Sequence, residues 1–278
     1  MMLEGSHTFR RARLTALALT TAALIAVSAG AYAQRAERPA LDVPYVPTPP
    51  EVVEQMLQMA DVKPGDFVID LGSGDGRIAI AAAKKGARAF GVDIDPERVQ
   101  EAQENAKRAG VEDKVSFKRQ NLFDTRISDA TVLTMYLLTN VNMQLRPRIL
   151  EELKPGTRVV SHAFDLGDWK ADQHAEIGHR QVFMWVVPAK VGGRWEVQAG
   201  GDSFSLVIEQ SYQNFTGQAQ VGGQAVGMRD CWLHGADIRF TLADGRKFHG
   251  LVNGDRMVSL PANAGYNTAG SWRATRTP

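Results

Sequence analysis

Two patterns of apolar and polar residues divide the chain. Between residues 50 and 165, short apolar runs alternate with segments whose apolar residues recur every three or four positions. Val52, Val53, Met56, Leu57 and Ala60 share one helical face, and further helices are predicted over 78–85, 96–109 and 145–153. Gly86 and Gly110 stand where C-terminal cap glycines belong. Apolar runs at 68–71, 87–92, 115–118, 130–138 and 157–164 fall between those helices. Strands that alternate with helices predict an α/β domain built on a mostly parallel sheet. Residues 181–189 and 194–198 read as an antiparallel pair joined near Gly192 and Gly193. Beyond residue 203 the pattern changes to short runs of strict alternation, punctuated by Gly217, Gly222, Gly223, Gly227, Gly235, Gly245, Gly250 and Gly254. That pattern predicts a C-terminal antiparallel β-meander over 203–278. The stretch Ala199-Gly200-Gly201-Asp202 marks the break and reads as a linker.

Chemistry concentrates at the end of the first strand. Asp70-Leu71-Gly72-Ser73-Gly74-Asp75-Gly76 joins a strand to a helix N-terminus through three glycines. A glycine turn of this kind lets backbone approach a ligand at the carboxyl edge of a parallel sheet. The spacing is D-x-G-x-G-x-G rather than the dinucleotide G-x-G-x-x-G. The second strand ends in Asp93, 21 residues beyond Gly72, where a carboxylate can accept both hydroxyls of a ribose. Asp95 before Pro96 reads as a helix cap with proline at the first helical position.

The glycine motif and Asp93 together resemble the class I methyltransferases that use S-adenosylmethionine. The order Pro-Tyr-Val-Pro-Thr-Pro, then Asp-Leu-Gly-Ser-Gly-Asp-Gly-Arg, then Tyr-Leu-Leu is similar to a bacterial group related to small protein-lysine methyltransferases. The resemblance covers residues 45–198 and implies a Rossmann-like sheet of seven strands flanked by helices, completed by the antiparallel pair. It implies a cofactor pocket of Tyr45, Thr48, Asp70, Gly72, Gly74, Asp75, Asp93, Ile94, Asn121 and Leu122. Family members commonly carry an acidic residue at position 121 for the adenine amino group; Asn121 can still accept that hydrogen bond. Thr48 has a competing reading as a helix N-cap, with Pro49 at the first position and Glu51 completing a capping box.

The acceptor side is less specific. The end of the fourth strand faces the transferable methyl group in this family, and it brings Tyr136, Asn140 and Asn142. An Asn/Asp-Pro-Pro-Tyr motif and a Pro-Cys pair are both absent from the sequence. No metal-ligand spacing is evident. His162 ends the fifth strand and could act as a base. Tyr136 and His162 are therefore the catalytic candidates. The implied reaction moves a methyl group to an unidentified nucleophile, a protein lysine or a small-molecule amine or hydroxyl. The alternative is a non-catalytic, exported S-adenosylmethionine or nucleoside binder that uses its β-region as an interaction module.

Charge and the N-terminus set the context. Arg10, Arg11 and Arg13 precede an apolar run over 14–26, too short to span a bilayer, and Ala31-Tyr32-Ala33 provides a cleavage site. Residues 1–33 therefore read as a signal peptide and 34–44 as a linker, giving a periplasmic or secreted protein without a stable membrane anchor after cleavage. Removing Glu4, Arg10, Arg11 and Arg13 from 32 basic and 31 acidic residues leaves a net charge of −1, which gives no reason to expect a nucleic-acid partner. The sole cysteine, Cys231, cannot form an internal disulfide.

Overall fold

The computed structural model describes residues 43–261 and 269–278. The predicted signal peptide and residues 34–42 of the linker lie outside the described residues.

The first part is a seven-stranded sheet. In chain order its elements are α1 (Pro50–Met59), β1 (Phe67–Leu71), α2 (Arg77–Lys84), β2 (Arg88–Asp93), α3 (Pro96–Ala109), β3 (Val115–Arg119), β4 (Val132–Met135), α4 (Thr139–Glu152), β5 (Arg158–His162), β6 (Gln173–Ile177) and β7 (Arg180–Val186). The strand order is β3-β2-β1-β4-β5-β7-β6. The first five strands run parallel, while β7 is antiparallel to both β5 and β6. Alternation along each strand separates two apolar layers. Val68, Val132, Val160 and Met184 meet α1, α2 and α3 on one face. Ile69, Leu133, Val159 and Trp185 meet Leu145 and Ile149 of α4 on the other.

The second part is a closed antiparallel barrel. Its strands are β8 (Gly193–Ala199), β9 (Asp202–Ser211), β10 (Asn214–Val221), β11 (Gln224–His234), β12 (Asp237–Leu242), β13 (Lys247–Asn253), β14 (Arg256–Ser259) and β15 (Trp272–Thr277). Each strand pairs with the next, and β15 closes on β8. Trp195, Phe240 and Phe248 are fully buried inside it, so side chains fill the interior.

Four sequence expectations change. The strand predicted at 194–198 is β8 of the barrel; the partner of β7 is Gln173–Ile177, whose polar sequence hides an edge strand. The all-β part therefore begins at Gly193, inside the expected 45–198 domain. The expected linker at 199–202 is the turn of the β8–β9 hairpin, since Ala199 pairs with Asp202. The helix expected at 145–153 begins at Thr139 and carries Pro147 in its interior. Thr48 does not cap α1: the cap position is Pro49, without a side-chain hydrogen bond, and the Thr48 hydroxyl turns elsewhere.

Candidate active site

The glycine loop after β1 is pinned from below and crowded from above. The amides of Gly72 and Ser73 both donate to the Val92 carbonyl of β2 at 2.9 Å. Gly72 and Gly74 have φ of 76° and 52°, a region that disfavours side chains. A Cβ on Gly74 would lie 2.5 Å from Tyr45 Cε2, and one on Gly72 would lie 2.9 Å from Leu137 Cδ2. Tyr45, 42% exposed, thus lies over the loop, with the Arg98 guanidinium 4.8 Å from its ring centre.

Four carboxylates lie near this loop, and each has a different occupation. Asp93 accepts from Gly74 N at 2.8 Å through one oxygen and from Asp95 N at 2.9 Å through the other. Each oxygen keeps a second lone pair. Asp95 caps α3 by accepting from Glu97 N at 2.8 Å, as its sequence context predicts. Asp75 is committed to Arg77, with an ion pair at 2.6 Å. Burial pushes the Asp75 carboxyl up, but Arg77 outweighs it and holds the group below the usual carboxylate range. Arg77 also donates to the Thr48 carbonyl at 2.8 Å, which ties the segment before α1 to the loop.

Asp70 is the least satisfied of the four. It is 2% exposed and accepts from Thr134 Oγ1 at 2.7 Å, its register partner on β4. Burial pushes its carboxyl up to about 7, and the nearby Asp93 and Asp75 add to the shift. Its Oδ2 and the buried Ser73 hydroxyl have no hydrogen-bond partner. Two orphaned polar atoms beside one glycine loop are what a site built for a polar ligand leaves behind.

Asn121, expected at the adenine, is only partly free. Asn121 Oδ1 accepts from Phe123 N at 2.9 Å and so caps the 3₁₀ turn Leu122–Asp124. Ile94 and Leu122 are half-buried apolar residues at the ends of β2 and β3.

At the ends of β4 and β5 three rings come together. His162 is 2% exposed, and its ring centre lies 3.8 Å from that of Tyr136; Phe164 stacks on Tyr136 at 6.3 Å. His162 Nδ1 lies 3.1 Å from Thr48 Oγ1. Burial lowers the His162 pKa to about 4, helped by the positive charge of Arg180, so the ring is neutral at pH 7. Ala163 has φ of 65°, left-handed for a residue with a side chain, a strain of roughly 1–3 kcal/mol at the rim of the site. Asn142 is not at the strand end but on α4, where its amide donates to the carbonyls of Phe164 and Asp165 at 3.1 and 3.2 Å. Asn140 is exposed.

The structure thus brings Tyr45, Thr48, Asp70, Gly72, Gly74, Asp93, Tyr136 and His162 to one edge of the sheet. Sequence reasoning missed Ser73, Thr134 and Phe164. Thr134 becomes visible only through the β1–β4 register, and Phe164 carried a signal as the aromatic two residues beyond His162. Among the described residues, no group of three or more His, Cys, Asp or Glu side chains could hold a metal ion.

Known proteins resemble this chain in sequence and fold. Residues 70–173 match the family model of the ANTKMT methyltransferase domain. A protein-lysine N-methyltransferase of Saccharolobus islandicus is 47% identical over 151 residues, which cover 52% of this chain and 94% of that protein. The mouse adenine nucleotide translocase lysine N-methyltransferase is 38% identical, and the match covers 47% of this chain and 57% of that protein. A crystal structure described as an RNA methyltransferase from Salinibacter ruber, in complex with S-adenosylhomocysteine, is 50% identical with a TM-score of 0.52; it covers 52% of this chain and 96% of that one. The chain belongs to the class I S-adenosylmethionine-dependent methyltransferases. Its cofactor is S-adenosylmethionine, and the residues fit that ligand: Asp70 and Ser73 offer unpaired polar atoms, and Gly72 leaves its backbone exposed beside them.

Proposed function

We propose that this methyltransferase acts on the side-chain amine of a protein lysine. The observation that carries the proposal is the uncharged aromatic wall of Tyr136, His162 and Phe164 at the ends of β4 and β5. Aromatic faces attract an alkylammonium and line its aliphatic stem, and their dryness favours the neutral amine needed for attack. The lysine methyltransferase relative that is matched along almost its whole length supports the same reading.

Roles follow from position. Asp93 holds the ribose through its outer lone pairs, Asn121 accepts from the adenine, and Ile94 and Leu122 flank the base. Tyr45 and Thr48 close over the methionine end, and Asp70 takes its ammonium. Bound there, S-adenosylmethionine supplies a methyl group on an already activated sulfonium. The protein's part is therefore alignment and exclusion of water rather than strong acid–base chemistry. Tyr136 orients the amine, and His162, neutral at pH 7 and joined to Thr48, supports the Tyr136 ring.

An RNA acceptor is the second reading, favoured by the description of the Salinibacter structure. The net charge of −1 after residue 33 argues against it. Incubation with radiolabelled S-adenosylmethionine, poly-L-lysine and total RNA separates the two. Label recovered as methyllysine is the expected result; label confined to RNA overturns the proposal. We also propose export, on the basic residues Arg10, Arg11 and Arg13, the apolar run and the Ala31-Tyr32-Ala33 site. A periplasm-dependent reporter fused to residues 1–40 should be active, with Gln34 as the mature N-terminus; protein recovered in the cytosol with its first residues intact would refute export.

A further inference from the structure

The chain from β5 to β6 crosses without a helix, and the barrel supplies what the helix would have supplied. Trp169, at the middle of this crossing, is fully buried. Its ring lies 6.0 Å from that of Trp185 on the sheet and stacks on Tyr212, at the β9–β10 turn, at 5.8 Å and 13°. The Trp169 indole N–H donates to Gln213 Oε1 at 2.9 Å, and Gln213 Nε2 donates to the Lys170 carbonyl at 2.8 Å. The Tyr212 hydroxyl donates to Asp168 Oδ2 at 3.0 Å.

The turn that makes these contacts is itself fixed. Tyr212 has φ of 54°, and its carbonyl accepts from Gln210 Nε2 at 2.7 Å. Gln210 also donates to the Ala189 carbonyl at 2.8 Å and accepts from the amides of Val191 and Gly192. One side chain thus binds the hairpin tip to the segment that leads from the sheet into the barrel.

The same crossing carries one wall of the acceptor site. Arg146 of α4 donates to the Leu166 carbonyl at 2.8 Å, pairs with Asp168, and lies 5.6 Å from the Tyr212 ring centre. Asn142 and Ser161 hold the Phe164 carbonyl, the latter at 2.6 Å. Contacts therefore run from the barrel tip through Asp168 to Arg146 of α4, and from Asn142, one turn away on the same helix, to the Phe164 carbonyl. Residues that hold a reacting group in place act through such packed chains.

We propose that Tyr212 and Gln213 are positioning residues for methyl transfer: the barrel's β9–β10 turn braces residues 163–170 and so fixes the Phe164 side of the acceptor wall. This rests on the reading that Phe164 faces the acceptor.

The full chain carrying Tyr212→Ala and Gln213→Ala tests it, beside Tyr212→Phe, which keeps the stack and loses only the bond to Asp168. Three readouts are taken: amide hydrogen exchange, calorimetric binding of S-adenosylhomocysteine, and labelling of poly-L-lysine. Faster exchange confined to 163–170, unchanged S-adenosylhomocysteine affinity and a KM for poly-L-lysine raised about tenfold with a smaller change in kcat is the expected result, with Tyr212→Phe between wild type and the double variant. Unchanged exchange over 163–170 would overturn the proposal. So would lost S-adenosylhomocysteine affinity with exchange raised across the sheet, because the barrel would then hold the fold as a whole. If wild type leaves poly-L-lysine unlabelled, the lysine reading fails, and the exchange and binding readouts alone decide the positioning role.

Discussion

Thr48 Oγ1 lies 3.1 Å from His162 Nδ1, so a hydroxyl just ahead of α1 is joined to a ring at the end of β5 across 114 positions of sequence. The bond places the segment that leads into α1 against the strand end that carries the Tyr136–His162–Phe164 cluster. Both partners are buried, which makes the bond costly to break on one side only. Thr48→Val leaves a buried ring nitrogen without a partner, at roughly 1–3 kcal/mol. Thr48→Ser keeps the hydroxyl. The valine variant should melt several degrees below wild type while the serine variant stays close to it. Equal melting of the two would show that the bond contributes nothing.

His162 also sets a pH dependence. Its folded pKa of about 4 lies below the ordinary histidine value of 6.5. The folded state therefore binds fewer protons than the unfolded state in that window, and stability rises with pH there. The contribution is fully present above 6.5 and is lost as pH falls through 4. Wild type should lose stability between pH 7 and pH 4 more steeply than His162→Gln, measured by thermal melting. Parallel curves would place the ring in a wetter environment than its burial implies.

Asp70 has the opposite sign. Its folded pKa of about 7 lies above the ordinary aspartate value of 3.8. Below 3.8 both states hold the proton and the contribution is complete; it fades as pH rises toward and through 7. Asp70→Asn keeps an acceptor for Thr134 and removes the titration. The variant should gain stability relative to wild type as pH rises from 5 to 8. Binding of S-adenosylhomocysteine, whose ammonium would lose a carboxylate partner, should weaken in the same variant. A constant stability difference across that range would mean that Asp70 is ionised throughout.

Gly74 offers a geometric test. Alanine there meets both an unfavourable φ of 52° and the Tyr45 ring at 2.5 Å. The backbone part costs roughly 1–2 kcal/mol. The steric part should vanish when Tyr45 is shortened. Gly74→Ala should reduce S-adenosylhomocysteine affinity, and Tyr45→Ala in the same chain should restore part of it. No restoration would show that the ring moves aside freely.

Asp93 carries two tasks, which changes what its removal should do. Besides the ribose contact proposed for it, it holds Gly74 N and Asp95 N. Asp93→Ala should therefore cost about 2–3 kcal/mol in cofactor binding and lower the melting temperature as well. Asp93→Asn, which keeps one acceptor oxygen, should melt nearer to wild type and still bind more weakly. Wild-type affinity in both variants would remove the ribose assignment.

How far the sequence led differs along the chain. The glycine loop and the strand end at Asp93 were legible because each depends on only a few neighbouring residues. The N-cap role of Asp95 was legible for the same reason. Thr134 was not, because its meeting with Asp70 depends on the register between strands 64 residues apart. Thr48 was read as a cap because Thr-Pro-x-Glu satisfies the local rule; a bond to a distant histidine outcompeted it. Strand β6 was invisible because Gln173 to Ile177 forms a polar edge, and the barrel strand β8 was assigned to the sheet because alternation alone does not say which sheet a strand joins.

The position of β8 also decides where the chain can be shortened. A cut near Gly200 falls within the hairpin turn and removes both β9 and β15, the two neighbours of β8. Trp195, Val197 and Ala199, all buried in the full barrel, would then line one exposed face of an unpaired strand. Such a strand is a template for aggregation. The same cut strips Tyr212 and Gln213 from Trp169. Ending the chain after Val187 removes the orphaned strand but still uncovers Trp169. The cofactor edge, from Asp70 to His162, lies wholly before that point. The chain ending at Val187 should therefore bind S-adenosylhomocysteine with a melting temperature lowered by the exposed Trp169, and the chain ending at Gly200 should aggregate. Trp169→Gln in the shorter chain should raise its solubility. A folded Val187-ending chain that fails to bind S-adenosylhomocysteine would show that the barrel shapes the cofactor edge as well as the acceptor side.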